Sequence, residues 1–144
     1  MITAMVRSKL LAASGVTALV STRVYIDGLP QTSPVLPAIS VHPVSRVPSK
    51  TVGKGWEARV QVSCWSNPVT TGGVRSPSEV ENVAAAVIAA LHKPRTNMSP
   101  EAWTVGSTTY AVTSRTVTGG TRVIEDPSGW YHIPVDVSLV YREV

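Results

Sequence analysis

Three histidines, one cysteine and nine carboxylates are the side chains in this 144-residue sequence best suited to acid–base, nucleophilic or metal chemistry. Their spacing is what has to be judged. His132 and Asp136 share one face of a predicted strand, but four residues of strand span about 13 Å, too far for a direct proton-transfer pair. His42 stands in a predicted strand beside Pro43, and His92 sits in the last turn of a predicted helix, where a cation suits the helix dipole. Three scattered histidines and one cysteine make no zinc spacing. Cys64 falls on the inward side of a strand, so it reads as a small apolar core residue, and a lone cysteine excludes an internal disulfide. There is no Gly-x-Ser-x-Gly, no glycine-rich phosphate loop ahead of a helix and no His-Glu-x-x-His. Gly119-Gly120 lies inside a strand pattern, which means a bulge rather than a ligand loop. The residues thus assemble no catalytic constellation, and the expectation is a non-enzymatic protein without cofactor or metal.

The cations offer a different chemistry. Net charge is +4, with 15% charged and 43% hydrophobic residues, a globular balance. Residues 1–75 carry eight Lys/Arg against two acids, whereas residues 76–144 carry five against seven. Arg46, Lys50 and Lys54 lie in the polar connection from Val44 to Trp56, which holds no acid. Such a loop could meet phosphates or an acidic protein surface, or it could simply be solvated. No helix-turn-helix, zinc finger or RNA-binding aromatic motif accompanies it, and Trp56 is the one stacking candidate beside it.

The elements that must position these residues are organised around Glu57–Leu91. Ala58, Val60, Val62 and Cys64 alternate with Glu57, Arg59, Gln61 and Ser63, the period of a half-buried strand. A Pro/Gly/Thr loop over 67–75 leads to a helix, with Ser76 as N-cap, Pro77 as the first helical residue and Glu79 as the third. Val80, Val83, Ala84, Val87, Ile88 and Leu91 form one apolar stripe. Burying its three valines and Leu91 against the strand's sheet would contribute roughly 6–12 kcal/mol at most. Lys93-Pro94 ends that helix.

Elsewhere, residues 3–13 predict an amphipathic helix stopped by Ser14-Gly15, with one further turn over 16–20. Its apolar run is interrupted too early for a signal peptide, and nothing approaches the ~18 apolar residues of a membrane span. Short strands follow at 23–26 and 38–42, separated by a proline-punctuated connection; Pro43 points to a sheet edge or a bulge. Residues 92–103 read as irregular, 109–117 as a strand continuing past Gly119-Gly120 to 121–125, and Asp126-Pro127-Ser128-Gly129 as a turn. The clearest strand is 130–142, with Tyr131, Ile133, Val135, Val137, Leu139 and Tyr141 on one face. The expected architecture is a single α+β domain over 1–144: an antiparallel sheet of about four main strands with two helices packed on one face.

The order of these pieces resembles the tail completion or tail terminator proteins of long-tailed bacteriophages, also called tail-to-head joining or minor tail proteins. The resemblance runs through Val16-Thr-Ala-Leu-Val20, Arg23-Val-Tyr25, Leu36-Pro-Ala-Ile39, Ala58 to Trp65, Val83 to Leu91, Glu125-Asp-Pro-Ser-Gly-Trp-Tyr131 and Val135 to Arg142. The segment from Lys93 to Thr108 is longer than such a protein leads one to expect. The resemblance implies a structural virion protein of a siphophage-like particle, assembled in the host cytoplasm. It implies a homohexameric ring at the head-proximal end of the tail, which ends tube polymerisation and meets the major tail tube protein on one side and the head stopper or connector on the other. Genomic DNA would pass through the channel without specific binding, and no membrane is involved. In that setting the 45–55 loop, with Arg46, Lys50 and Lys54, becomes a candidate for a subunit, tube or channel contact. Glu125 and Asp126 of a neighbour are candidate acids for it, and outward-facing Arg59 and Gln61 are candidates for ring contacts. The alternatives are a head-completion protein of the neck and a small basic nucleic-acid-binding protein.

Overall fold

The computed structural model describes residues 2–31, 34–50, 53–67, 69–71, 74–76, 78–92, 99–120, 123–125 and 129–144, with the backbone alone for 69–71, 74–76, 114–115 and 123–125. Its elements are α1 (Ile2–Ala12), α2 (Ser14–Val20), β1 (Val24–Ile26), β2 (Ala38–Pro48), β3 (Trp56–Ser66), β4 (Val69–Thr71), β5 (Val74–Ser76), α3 (Ser78–Leu91), β6 (Glu101–Val105), β7 (Thr108–Gly119), β8 (Val123–Glu125) and β9 (Trp130–Glu143). One seven-stranded sheet runs β1-β2-β3-β9-β7-β6, with β8 also on β9; β4 and β5 form a separate hairpin. Among the described residues only the β1–β2 pairing is parallel. The protein is α+β as expected, but with three helices instead of two and a broader sheet than four main strands.

The alternation in β3 and β9 places their apolar residues on one face. In register across the sheet lie Ile39, Cys64 and Ile133, then Val41, Val62 and Val135, all in the one core cluster. The α3 stripe closes that cluster: Val80, Val83, Ala84, Val87 and Leu91 are buried, and Ile88 packs at its margin. This helix lies over β3, β7 and β9, while α1 covers β1, β2 and β6. Lys9 on α1 ties down the β6 edge through Glu101, 2.5 Å away, and lies 5.6 Å from the centre of the Trp103 ring. Among the described residues no single helix is long and apolar enough to cross a membrane.

Several local expectations are corrected. Ser14-Gly15 does not end the first helical segment; the break falls at extended Ala13 (φ −88°, ψ 113°), and Ser14 starts α2 at a bend of 89°. Gly15 has no positive φ, so it is an ordinary helical residue. The 67–75 loop contains the β4–β5 hairpin, and the irregular stretch after α3 contains β6, whose aromatic Trp103 is buried among the core residues. Residues 101–105 of the long 93–108 segment are therefore sheet, and residues 93–98 lie outside the described residues, as does Pro77 of the capping motif.

The largest correction concerns 44–56. β2 runs on past Pro43 as an edge strand beyond the end of β1, with a bulge between Pro43 and Ser45 that leaves Val44 exposed. Proline survives there because an edge position needs no donated ladder bond. The connection to β3 shrinks to residues 49–55, closed by Ser49 N–H donating to the Gly55 carbonyl at 2.9 Å. A second bulge separates Val112 from Ser114. At Gly119-Gly120 the expected irregularity is present: the register along β9 slips by one residue before β8, and the Gly120 N–H donates to the Pro134 carbonyl at 2.7 Å.

Candidate functional site

The sheet has two unlike faces. Helices seal one of them except at the end where β2, β3, β7 and β9 run beyond their reach. Among the described residues the other face carries no helix.

At the uncovered end of the helix side, the β2 bulge decides which side chains point inward. Beyond it Arg46 pairs with Ala58 and shares that residue's face. The Arg46 guanidinium lies 3.9 Å from the centre of the Trp56 ring, shielding an aromatic that no helix covers. A stack of this kind contributes about 0.5–2 kcal/mol. Trp56 is opposite Tyr141 on β9, and Tyr141 meets Tyr110 of β7 edge-to-face, centroids 5.9 Å apart. Arg46, Lys54, Trp56, Tyr110, Tyr141 and Glu143 line a cleft of about 300 Å³. Lys54 reaches it from a turn in which its own φ is +58°. Tyr141 is 2% exposed, and no hydrogen-bond partner of acceptable geometry reaches its hydroxyl. Burial raises its pKa above the ordinary 10.0, outweighing Arg46, whose N–H groups and charge beside the hydroxyl both favour the charged form.

Of the three cations expected in one loop, Arg46 belongs instead to a strand. The fold gathers Arg46 and Lys54 at this cleft and leaves Lys50 exposed and outside it.

Arg59 and Gln61 project onto the helix-free face, so they share no site with Arg46. Arg59 is exposed between Ser45 and Ser138, above a groove of about 350 Å³ bordered by Val47, Glu57 and Val140. Gln61 is half-buried between His42 and Asp136. His132 and Asp136 make no pair, since Asp136 stands beside Gln61 while His132 stands beside Trp65. Glu125 pairs through its backbone with Trp130 at the start of β9, the opposite end of that strand from Tyr141 and roughly 35 Å away at strand spacing. Within one subunit it cannot neutralise Arg46. Asp126 lies outside the described residues.

One cluster escaped the sequence reading. Trp65 stacks flat on His132 at 4.1 Å, meets Trp130 edge-on at 6.4 Å, and donates its indole N–H to the Ser40 hydroxyl at 3.0 Å. That hydroxyl is 3.1 Å from His42 Nε2. The signal was available in the alternation, since Ser40/His42 and Trp130/His132 are same-face pairs, but register across strands was needed to join them. Cys64 lies on the other side, fully buried, with its thiol pKa pushed up from 9.0 to about 12 by burial. Among the described residues no three His, Cys, Asp or Glu side chains converge as a metal site. What the arrangement can do is bind: an aromatic, cation-rimmed cleft at one end, and a polar sheet face with a shallow groove.

No curated protein matches the chain. Among solved structures, it superposes on a chain from the virion of a native gene transfer agent particle with a TM-score of 0.67 and 20% identity, covering 96% of this chain and 92% of that one. At that identity the likeness is one of fold. A sequence model of the family described as tail completion protein gp17 matches residues 4–142, from the first turn of α1 to the penultimate residue of β9, and the chain belongs to that family.

Proposed function

We propose that this protein is a structural virion component that completes a phage-like tail: a ring, six-fold by analogy with tail terminators, at the head-proximal end of the tube. The observation that carries this reading is the family match across residues 4–142. The fold is in keeping with it. A subunit in a closed ring needs two different surfaces that fit each other head-to-tail, because heterologous contacts generate a ring only when the rotation closes. This subunit has unlike faces, one packed by helices and one that carries polar side chains beside the Trp65, Trp130 and His132 cluster. It also keeps cations near Tyr141 at one end of β9 and the backbone of Glu125 at the other.

In this reading one annular face of the ring meets the major tail tube protein and ends its polymerisation, and the other meets the head stopper or connector. Genomic DNA crosses the channel without specific binding. Cations exposed in the channel would be paired with neighbouring acids, since unpaired they would hold the phosphates. Arg46, Lys50 and Lys54 contact a neighbouring subunit or the tube, Glu125 and Asp126 supply acids to a neighbour, and Arg59 and Gln61 form ring contacts from the open face. The work is done by binding alone, without a cofactor or a catalytic step.

The decisive experiment is electron microscopy of a lysate in which this gene is stopped early in the parent particle's genome. Filled heads beside detached or over-long tails are expected. Leaking heads beside tails of normal length would move the protein to the neck, and intact virions would sink both readings. Replacing Arg46, Lys50 and Lys54 by Ser is expected to block joining while leaving the circular dichroism spectrum unchanged; normal infectious yield would remove these residues from the contact.

A further inference from the structure

We propose that the cleft between Arg46, Lys54, Trp56, Tyr110, Tyr141 and Glu143 is a socket for one acidic side chain of a second copy of this chain. The inference rests on the reading of the protein as a ring and adds the chemistry of the subunit contact.

Three observations converge on a carboxylate. Arg46 holds its guanidinium carbon 3.9 Å from the centre of the Trp56 ring, a contact that restrains the side chain, and a guanidinium's N–H fork suits a planar, two-oxygen acceptor. Among the described residues neither Arg46 nor Lys54 has an ion-pair partner. The Tyr141 hydroxyl is buried beside them, close enough to Arg46 for that side chain to act on it, yet without a hydrogen bond of good geometry, and buried hydroxyls as a rule find one. A carboxylate seated between the two cations accepts from the guanidinium, the ammonium and the phenol together.

The charge count favours a carboxylate over nucleic acid. Arg46 and Lys54 against Glu143 leave the cleft one positive charge in excess, which a single carboxylate neutralises. The Glu143 carboxylate opposes a run of phosphates, and Arg46 occupies the Trp56 face that a base would need for stacking.

The same count favours a second copy as the source. Seven of the nine acids lie in residues 76–144. Glu57 faces the Ser49 hydroxyl, Glu101 is paired with Lys9 and Glu143 is already in the cleft. The other six are Asp27, Glu79, Glu81, Glu125, Asp126 and Asp136, of which Glu81 is also engaged within its own subunit. Asp136 is exposed on the opposite face of the sheet, and the backbone of Glu125 lies at the opposite end of β9. Neither can enter its own subunit's cleft, while a head-to-tail contact can deliver either to the next one.

The test is self-association of the purified full-length chain, followed by sedimentation velocity over a concentration series reaching the millimolar range. Arg46→Glu is expected to weaken association about 30-fold or more, the loss typical when one partner of a desolvated charge pair is replaced. Each of the six acids is then changed to Lys in turn, and each variant is mixed in equal amount with Arg46→Glu. For the acid that enters the socket, mixing restores association, because intact sockets meet intact acids at one contact and reversed pairs meet at the next. Restoration by one member of the panel establishes the contact. Restoration by none, with every variant folded by circular dichroism, overturns it. A wild-type chain that stays monomeric throughout overturns it as well. Duplex DNA binding that Arg46→Glu abolishes, with association unchanged, would make the cleft a phosphate site and also defeat the proposal. No tail tube is present in this assay. A contact established here beside unaltered tails in the gene-stopped lysate would therefore refute tail completion and leave the socket standing.

Discussion

Replacing Tyr141 by Phe isolates the feature on which the cleft depends. The ring of Tyr141 is 2% exposed, packs edge-to-face on Tyr110 and lies opposite Trp56, so Phe preserves its packing and opens no void beyond one oxygen. The hydroxyl is what changes. A buried hydroxyl without a partner costs about 1–3 kcal/mol, and the neighbouring Arg46 charge offsets part of that, which puts the expected gain near the lower end, about 1 kcal/mol. For a chain of this length the melting temperature should rise by about 2–5 °C. Urea unfolding at neutral pH measures it, as an increased midpoint with unchanged slope. Alkaline titration adds a second readout. Tyr141 ionises above 10.0 in the folded chain and near that value when unfolded, so as pH rises through this interval the unfolded chain holds fewer protons and stability falls. The Phe variant lacks that contribution. In association assays the same variant should bind its partner copy more weakly, because the carboxylate loses a donor. A Phe variant less stable than wild type by about 1 kcal/mol or more would mean that the hydroxyl is already bonded within the free subunit. The hydroxyl would then need no acceptor from outside.

Leu10→Ala, at a fully buried position of α1, should cost about 2–5 kcal/mol in urea unfolding, since α1 shares the core cluster with the sheet. Gly120→Ala should destabilise by about 1–3 kcal/mol, because its Cβ would stand 2.4 Å from the Pro134 carbonyl oxygen; Gly15→Ala, in open space within α2, should be neutral or stabilising by up to about 1 kcal/mol. The Cys64 thiol should resist iodoacetamide in the native protein. Its pKa is raised from 9.0 to about 12, so between those values stability should fall by up to about 1.4 kcal/mol per pH unit, and Cys64→Ala should flatten that fall.

The two-residue alternation in β3 and β9 and the apolar stripe of α3 were legible without coordinates, because each is a local rule: a chain with those residues has one face it must bury. The order of elements was enough for the family resemblance, since order survives where individual residues carry little. Edges and registers were not legible. Val44–Pro48 looks like loop by composition, and it becomes a strand only because β3 lies alongside to take its hydrogen bonds. β6 is likewise strand by virtue of its pairing with β7, and its position beneath α1 is what buries Trp103. The candidate site divides the same way. Arg46 and Lys54 stand out as cations in a segment poor in acids. That Arg46 lies on Trp56, beside Tyr141 from a strand more than eighty positions along the chain, follows from the bulge at Val44, which turns the guanidinium inward. Local composition determines which faces are apolar and which residues are charged. Pairing across distant strands determines which of them meet, because a register slip of one residue exchanges the two faces of a sheet.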